Sequence, residues 1–194
     1  TGGLRYIGTE LCKIYSGYSW NHNVTVIDNR FISERVNQLR NWNINFIHGD
    51  ILDKDLIKKT CNDADVVHHL AGITDVPRVK SEASIEHEKK IKEVAEEGTQ
   101  NILDAISDKC KIIMPSSHVV FEAIDKVKKD IKEDEKTLPA LSYGTSKDYN
   151  EKQLKSSGKN YVILRLGSVY GYSTDTARID IMTNLFSKVA SQNG

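Results

Sequence analysis

Apolar residues along the chain fall into short runs that alternate with longer stretches of helical spacing. The runs are rich in Val, Ile and Leu and lack strict alternation with polar residues, which is typical of strands covered on both faces. They are VTVID (24–28), INFIH (44–48), DVVHHLA (65–71), KIIMPSS (111–117) and YVILRLG (161–167). The predicted helices between them span residues 8–18, 53–61, 84–107, 141–157 and 178–191. Strands and helices in this alternation predict an α/β fold with right-handed crossovers and a doubly wound parallel sheet.

The chain begins on a glycine-rich stretch, TGGLRYIG at 1–8. A loop of this kind follows a strand, so we expect the first strand of the sheet to lie before Thr1. A length of 194 residues predicts one main domain, which we place at 1–177. Residues 178–194 would then begin a substrate-binding region that continues beyond Gly194.

Composition argues against several classes of partner. Basic and acidic side chains number 27 each, whereas nucleic-acid-binding domains usually carry a basic excess, so we expect no nucleic acid. No apolar run approaches the roughly 20 residues of a membrane helix, and we expect no membrane contact. Cys12, Cys61 and Cys110 have neither zinc spacing nor the even count of a disulfide framework. They predict free core thiols in a reducing cytoplasm, and we expect no metal site.

The opening stretch has the features of a phosphate-binding loop. Gly2, Gly3 and Gly8 would permit a tight turn and close approach of the backbone to a pyrophosphate at the start of the next helix. Arg5 stands where a middle glycine is usual, and two interpretations are open. Its guanidinium pairs with the phosphates, or its side chain obstructs them.

An acidic residue follows this loop at the expected distance. Asp28 ends the next predicted strand, 20 residues beyond Gly8, where a carboxylate accepts hydrogen bonds from the adenosine ribose. A carboxylate also repels a 2′-phosphate, so the sequence favours NAD over NADP. Arg30 leaves NADP open as the cofactor, because an arginine near this position can accommodate the 2′-phosphate of NADP.

The stretch YGTSK at 143–147 carries candidate catalytic chemistry. On a helix, Tyr143 and Lys147 lie one turn apart on the same face, and the ammonium favours the tyrosinate. Tyr143 could then take a proton from a substrate hydroxyl. Ser116 and Ser117 end the predicted strand 111–117, at the edge of the sheet where ligands bind. Ser117 could orient the reacting hydroxyl, or it could simply cap the end of the strand.

Taken together, these pieces resemble the extended short-chain dehydrogenase/reductases, specifically the NAD-dependent epimerase/dehydratase family and its UDP-glucose 4-epimerase-like members. The resemblance extends from the first residue to about residue 190 and implies a Rossmann fold. It is carried by TGGLRYIG, VTVIDN, HGDI, VVHHLAG, EEGTQNIL, PSSHVVF, YGTSK and LRLGSVYG, in that order.

The resemblance also implies a role for individual residues. Ser117, Tyr143 and Lys147 would be the catalytic triad, and Ser116, Tyr143 and Lys147 would also contact the cofactor. The other implied NAD contacts are Tyr6 and Ile7 at the pyrophosphate, Asp28 and Asn29 at the adenosine ribose, Asp50 and Ile51 flanking adenine, and Leu70, Ala71 and Gly72 on the ribose and phosphate side.

Some positions depart from the family pattern. Some members carry arginine at the position of Arg5, which supports the phosphate-pairing interpretation. Ala95 and Ser168 each stand where an asparagine is common. The serine at position 168 puts a typical contact with the substrate phosphate in doubt. His118 and Val119 replace the Asp-Glu pair that 4,6-dehydratases use, which counts against dehydration.

Three histidines have alternative interpretations. Within a strand, His68 and His69 would point to opposite faces and make poor joint metal ligands, so we expect core packing or packing near the cofactor. His118 follows Ser117 directly, and whether it faces the substrate is open.

We therefore expect an NAD-dependent nucleotide-sugar epimerase acting through transient hydride transfer at C4 of a UDP-hexose. The alternatives are a net oxidoreductase acting on a sugar or a hydroxysteroid-type alcohol, and a non-catalytic NAD-binding or RNA-binding relative on the same fold. The predicted helices 84–107 and 141–157 resemble those that pair in the family, so we expect a homodimer.

Overall fold

The structure is a computed structural model that describes residues 1–17, 22–74, 84–173 and 181–193. The chain divides into two compact units. Unit 1 comprises Thr1–Asp50 and Gly167–Gly194, and unit 2 comprises Ile51–Leu166. Each unit has parallel strands joined by helices, so the predicted α/β class with parallel sheets is confirmed.

Unit 1 is built on two parallel strands, β1 (Thr25–Asp28) and β2 (Asn45–His48), which pair with Asp28 opposite His48 at their carboxyl ends. Its core forms where one face of α1 (Tyr6–Gly17), one face of α2 (Ser33–Asn41) and the inward residues of β1 exclude water, and it contains Leu4, Cys12, Val26, Val36, Leu39 and Ile44. The described elements of unit 1 are α1 (Tyr6–Gly17), β1 (Thr25–Asp28), α2 (Ser33–Asn41), β2 (Asn45–His48) and α6 (Met182–Asn193).

Helix α2 is absent from the sequence prediction. Its N-cap position is Ile32, whose side chain makes no capping hydrogen bond, so the usual Ser, Thr, Asp or Asn start signal is missing. Only Val36 and Leu39 are buried on this nine-residue helix, and two apolar positions are too few to give a clear periodic pattern. The helix forms because those two side chains complete the core of unit 1.

Unit 2 contains a three-stranded parallel sheet in which β4 (Lys111–Ser117) lies between β3 (Val66–His68) and β5 (Asn160–Leu166). Ile112 and Met114 of the central strand are 0% and 1% exposed and share one face of the sheet, whereas Ile113 and Pro115 on the other face are half-buried. The elements of unit 2 are α3 (Lys54–Cys61), β3 (Val66–His68), α4 (Ile85–Ala105), β4 (Lys111–Ser117), a short 3₁₀ helix (His118–Phe121), α5 (Ser142–Ser156) and β5 (Asn160–Leu166).

Several boundaries differ from the prediction. Strand β3 ends at His68 rather than at residue 71, and the buried side chain of the next residue, His69, contacts the Thr99 hydroxyl. Helix α6 begins at Met182, and residues 178–180 of the predicted helix lie outside the described residues. The proposed domain boundary at 177/178 lies there too and stays a prediction.

The three cysteines are buried and free, as predicted. Burial raises the pKa of the Cys12 thiol to about 11, so this group stays an inert core thiol at neutral pH. Across the described ranges, no helix is long and apolar enough to cross a membrane. The same residues contain no cluster of three or more His, Cys, Asp or Glu side chains suited to a metal ion.

Candidate functional site

The opening loop of unit 1 is shaped by its glycines. Gly2 has φ of 73°, a left-handed conformation that glycine adopts without strain. A Cβ on Gly3 would lie 2.5 Å from Val26 Cγ1, and a Cβ on Gly8 would lie 2.5 Å from the Gly2 carbonyl oxygen. The loop therefore packs directly on β1 and on the first turn of α1, and a side chain at either glycine would push these elements apart.

Helix α1 begins at Tyr6, and the Thr9 N–H donates to the Arg5 carbonyl at 2.7 Å. The N–H groups before Thr9 lie in the first turn, where no intrahelical acceptor exists, and they carry the positive end of the helix dipole. The Tyr6 hydroxyl donates to the Gly171 carbonyl at 2.8 Å. The predicted pyrophosphate contacts of Tyr6 and Ile7 would thus come from their backbone N–H groups.

Asp28 lies at the carboxyl end of β1, and its carboxylate also fixes the glycine loop through hydrogen bonds. Its carboxylate accepts from the backbone N–H of Leu4 and from that of Arg30, each at 3.0 Å, and the residue is only 6% exposed. The Arg35 guanidinium donates to the Leu4 carbonyl. Both polar groups of Leu4 are therefore fixed, and the loop is rigid at the residue before Arg5.

Two of the residues predicted to surround the adenosine, Asn29 and Asp50, contact each other. Asn29 donates through its side-chain amide to the Asp50 carboxylate at 2.9 Å, and a ring nitrogen of His48 lies 3.1 Å from the Asn29 carbonyl. Ile51 is 5% exposed, and a Cβ on Gly98 of α4 would lie 2.3 Å from Ile51 Cδ1. The structure therefore brings Asn29 and Asp50 together, and Ile51 packs on α4.

In unit 2, the predicted catalytic pair lies on the first two turns of α5. The Lys147 ammonium lies 5.8 Å from the centroid of the Tyr143 ring and donates to the Pro115 carbonyl at 2.9 Å. Burial lowers the pKa of Lys147 to about 8. A positive charge held at this distance stabilises a tyrosinate, because a nearby opposite charge favours the ionised form.

Gly144 lets the first turn of α5 approach the end of β4. A Cβ on Gly144 would lie 2.9 Å from the Val119 carbonyl oxygen and 3.2 Å from Pro139 Cβ. The first turn of α5 therefore packs directly on the 3₁₀ helix that follows β4. This packing fixes Tyr143 beside the segment that carries Ser117.

The two serines at the end of β4 face different partners. The Ser117 hydroxyl oxygen accepts from the Val119 N–H at 3.4 Å, so Ser117 does cap the 3₁₀ helix. That long bond uses one lone pair and leaves the hydroxyl able to orient a substrate oxygen. The Ser116 hydroxyl is buried and donates to the Glu151 carboxylate at 2.6 Å. Its predicted cofactor contact and the catalytic role of Ser117 both stay predictions.

Sequence reasoning missed the Glu151 network. Glu151 is 1% exposed and forms a bidentate pair with Arg165 of β5, at 2.9 Å and 2.7 Å. Burial tends to raise the pKa of Glu151, but hydrogen bonds from Arg165 and Ser116 outweigh it and lower that pKa. A signal was present, since Tyr143, Lys147 and Glu151 follow at intervals of four and so share one helix face.

His69 belongs to a second buried network, on α4 and α5. A ring nitrogen of His69 lies 3.0 Å from the Thr99 hydroxyl, which also accepts from the Asn150 amide at 3.0 Å. Burial, together with the charge of Lys147, lowers the pKa of His69 to about 3. His69 is therefore neutral at pH 7, as expected for core packing. Leu70, Ala71 and Gly72 follow it as half-buried residues beyond β3.

The family model described as the NAD dependent epimerase/dehydratase family matches residues 1–193. UDP-N-acetyl-alpha-D-glucosaminuronate decarboxylase of Bacillus cytotoxicus is 35% identical over 123 residues, which are 62% of this chain and 36% of that protein. UDP-glucuronic acid 4-epimerase from Bacillus cereus in complex with NAD is 26% identical with a TM-score of 0.76, covering 99% of this chain and 61% of that one. UDP-glucose 4-epimerase from Brucella ovis in complex with NAD is 27% identical with a TM-score of 0.71, covering 89% and 52%.

The chain spans less than two thirds of the length of each of these relatives. The match nevertheless includes both the glycine loop of unit 1 and the Tyr143–Lys147 pair of unit 2. The Rossmann fold is shared with structures that cover nearly all of this chain. The chain belongs to the NAD-dependent epimerase/dehydratase family.

Proposed function

We propose that the protein is an NAD-dependent nucleotide-sugar epimerase that inverts C4 of a UDP-hexose. The observation that carries this proposal is the arrangement at the end of β4. Tyr143 lies against the Lys147 ammonium on α5, and its helical turn packs on the segment that follows Ser117. Similarity to two 4-epimerases crystallised with NAD supports the same reaction.

The residues of unit 1 fit a dinucleotide. Gly3 and Gly8 allow a close turn that a Cβ at either position would obstruct, and the first turn of α1 would present backbone N–H groups to the pyrophosphate. Asp28 and Asn29 would hold the adenosine ribose, and the carboxylate at this position favours NAD over NADP. When bound, NAD would accept a hydride from the substrate carbon and return it to the opposite face.

The side chains of unit 2 would transfer the proton of the reacting hydroxyl. Tyr143 would accept the proton of the reacting hydroxyl as hydride leaves the same carbon, and would give it back when hydride returns. The ammonium of Lys147 makes this possible near neutral pH by stabilising the tyrosinate. Ser117 would hydrogen-bond the reacting oxygen and hold it in line with Tyr143. Because the proton and the hydride both return, the product is an isomer of the substrate.

The test is to incubate the full-length protein with NAD and a panel of UDP-, GDP- and dTDP-hexoses and uronates, and then to separate the sugar nucleotides by chromatography. The proposal predicts a new isomer of unchanged mass with no accumulation of NADH. A product lighter by one carbon dioxide would move the protein to the chemistry named for its decarboxylase relative. Accumulating NADH with another alcohol would support the net oxidoreductase.

Two further proposals concern the whole protein. We propose a homodimer that forms through α4 and α5, which pack together within unit 2 through hydrogen bonds from Asn150 to the Ala95 carbonyl and from Gln153 to the Glu96 carbonyl. Light scattering on a sizing column tests it, and a monomeric mass would refute it. Three buried free thiols suit the reducing cytoplasm that we propose as its location.

A further inference from the structure

We propose that His118 contacts the sugar of the substrate, with its Nε2 atom accepting a hydrogen bond from a sugar hydroxyl next to the reacting carbon. This inference rests on the proposed function, because it concerns the same site. It adds to the catalytic residues a side chain that would recognise the sugar rather than the nucleotide.

The first observation is the way in which the imidazole is anchored. Nδ1 of His118 lies 3.3 Å from the carbonyl oxygen of Leu166. A carbonyl oxygen only accepts, so Nδ1 must carry the proton in this contact. In the neutral ring, Nε2 then carries a lone pair and acts as an acceptor. The hydrogen bond thus decides both the tautomer and the direction in which the acceptor atom points.

The second observation is the position of this anchored ring. Ser117 and Leu166 are paired in register at the carboxyl ends of β4 and β5. His118 comes one residue after Ser117, and its ring reaches across to the carbonyl of Ser117's own partner, Leu166. The imidazole therefore spans the carboxyl edge of two neighbouring parallel strands, which is the edge where α/β sheets bind their ligands.

The third observation is the rigidity of the backbone that carries His118. It begins a 3₁₀ helix whose Val120 side chain is completely buried, and the Leu138 N–H donates to the Val120 carbonyl at 2.7 Å. Gly144 packs the same helix against the first turn of α5, where Tyr143 lies. The His118 side chain itself is exposed. A rigid backbone with an anchored, exposed imidazole is suited to hold a ligand group in a fixed orientation.

Two substitutions separate the two nitrogen atoms of the ring. His118→Asn retains an N–H near the position of Nδ1, so the contact with Leu166 is retained while the reach of Nε2 is lost. His118→Gln places an amide near the position of Nε2 and retains a group that can accept from the sugar. His22→Asn removes another exposed imidazole, which contacts the Tyr15 ring in unit 1, and serves as the matched control.

The experiment measures the affinity of the full-length protein with NAD bound for UDP and for the UDP-hexose that it converts, by calorimetry. His118→Asn should weaken UDP-hexose binding about tenfold, the value of one hydrogen bond to a ligand, and leave UDP binding unchanged. His118→Gln should recover part of the loss, and His22→Asn should match the wild type.

Equal UDP-hexose affinity in wild type and His118→Asn would overturn the proposal, and so would an equal loss for UDP and UDP-hexose. Either result leaves the proposed function intact as long as the wild type still epimerises the sugar. A wild type that neither binds nor converts any nucleotide hexose refutes the proposed function, and this inference with it.

Discussion

The buried pair between Glu151 and Arg165 allows a quantitative prediction about stability. The Glu151 side chain is 1% exposed and that of Arg165 is 16% exposed, so water screens their interaction weakly. Removing one partner of a buried pair leaves the other charge uncompensated and costs about 3–5 kcal/mol. Glu151→Gln should therefore lower the free energy of unfolding by about 3 kcal/mol or more, since it also weakens the acceptor for Ser116.

A double-mutant cycle with Arg165→Met separates the pair from its surroundings. Because the two groups touch, the double variant should be more stable than the sum of the single losses predicts, by about 1–3 kcal/mol. Urea unfolding followed by circular dichroism measures each corner of the cycle. A Glu151→Gln loss below about 1 kcal/mol, or a cycle that is additive to within about 0.5 kcal/mol, would refute the argument.

The same pair gives a pH dependence whose sign follows from the pKa. The pKa of Glu151 is lowered in the folded chain, so its stabilising contribution is complete above the unfolded value of 4.5 and is lost as pH falls through the folded value. The stability difference between the wild type and Glu151→Gln should therefore shrink below pH 4.5. A difference that stays constant down to the acid transition would contradict this assignment.

Three other changes test individual residues. Tyr143→Phe removes the proposed base, so turnover should be lost while NAD affinity, measured by calorimetry, stays near that of the wild type; unchanged turnover would remove Tyr143 from the mechanism. Asp28→Ala removes the acceptor for the Leu4 and Arg30 N–H groups and the proposed ribose contact, so NAD should bind at least about tenfold more weakly and NADP should be discriminated less; equal NAD affinity would contradict the ribose assignment. Lys147→Met removes a group whose pKa burial lowers from 10.5 to about 8. Since the unfolded chain binds the extra proton between those values, the wild type without NAD should gain up to about 3 kcal/mol of stability across that pH window and the variant should not; parallel stability curves would show that Lys147 does not titrate there.

Arg5 also has two interpretations that one substitution separates. If its guanidinium pairs with the phosphates, Arg5→Gly weakens NAD binding, and if its side chain obstructs them, the same change strengthens binding. Calorimetric titration with NAD distinguishes the two, and Lys13→Ala on α1 serves as a control for the loss of one cationic side chain from unit 1. An unchanged affinity would refute both interpretations.

The parts of the fold that depend on dense apolar runs were predictable from the sequence. The run KIIMPSS is seven residues long and matches β4 in full, because this strand lies in the centre of its sheet and pairs with a neighbour on each edge. Helix α2 was not predictable in this way. Its two buried residues and uncapped start contain little local information, and tertiary packing decides its conformation.

The candidate site likewise has features that the sequence predicts and features that it does not. The spacing of Tyr143 and Lys147 predicts one helix face, and the structure places the ammonium beside the ring. The partners of Ser116 and His118 depend on strand register and on helix-to-strand packing. Sequence spacing does not encode that Glu151 of α5 meets Arg165 of β5, or that His118 reaches the carbonyl of Leu166. Such contacts between elements of the sheet and its helices appear only in three dimensions.

The central claim is that hydride leaves C4 of the sugar and returns to the same carbon. The most direct measurement uses UDP-hexose deuterated at C4, with the full-length protein and NAD, and follows the product by mass spectrometry and NMR. We expect a C4 epimer of unchanged mass that retains deuterium at C4. Exchange of that deuterium with solvent, a product lighter by one water or one carbon dioxide, or deuterium that accumulates in free reduced cofactor would contradict it.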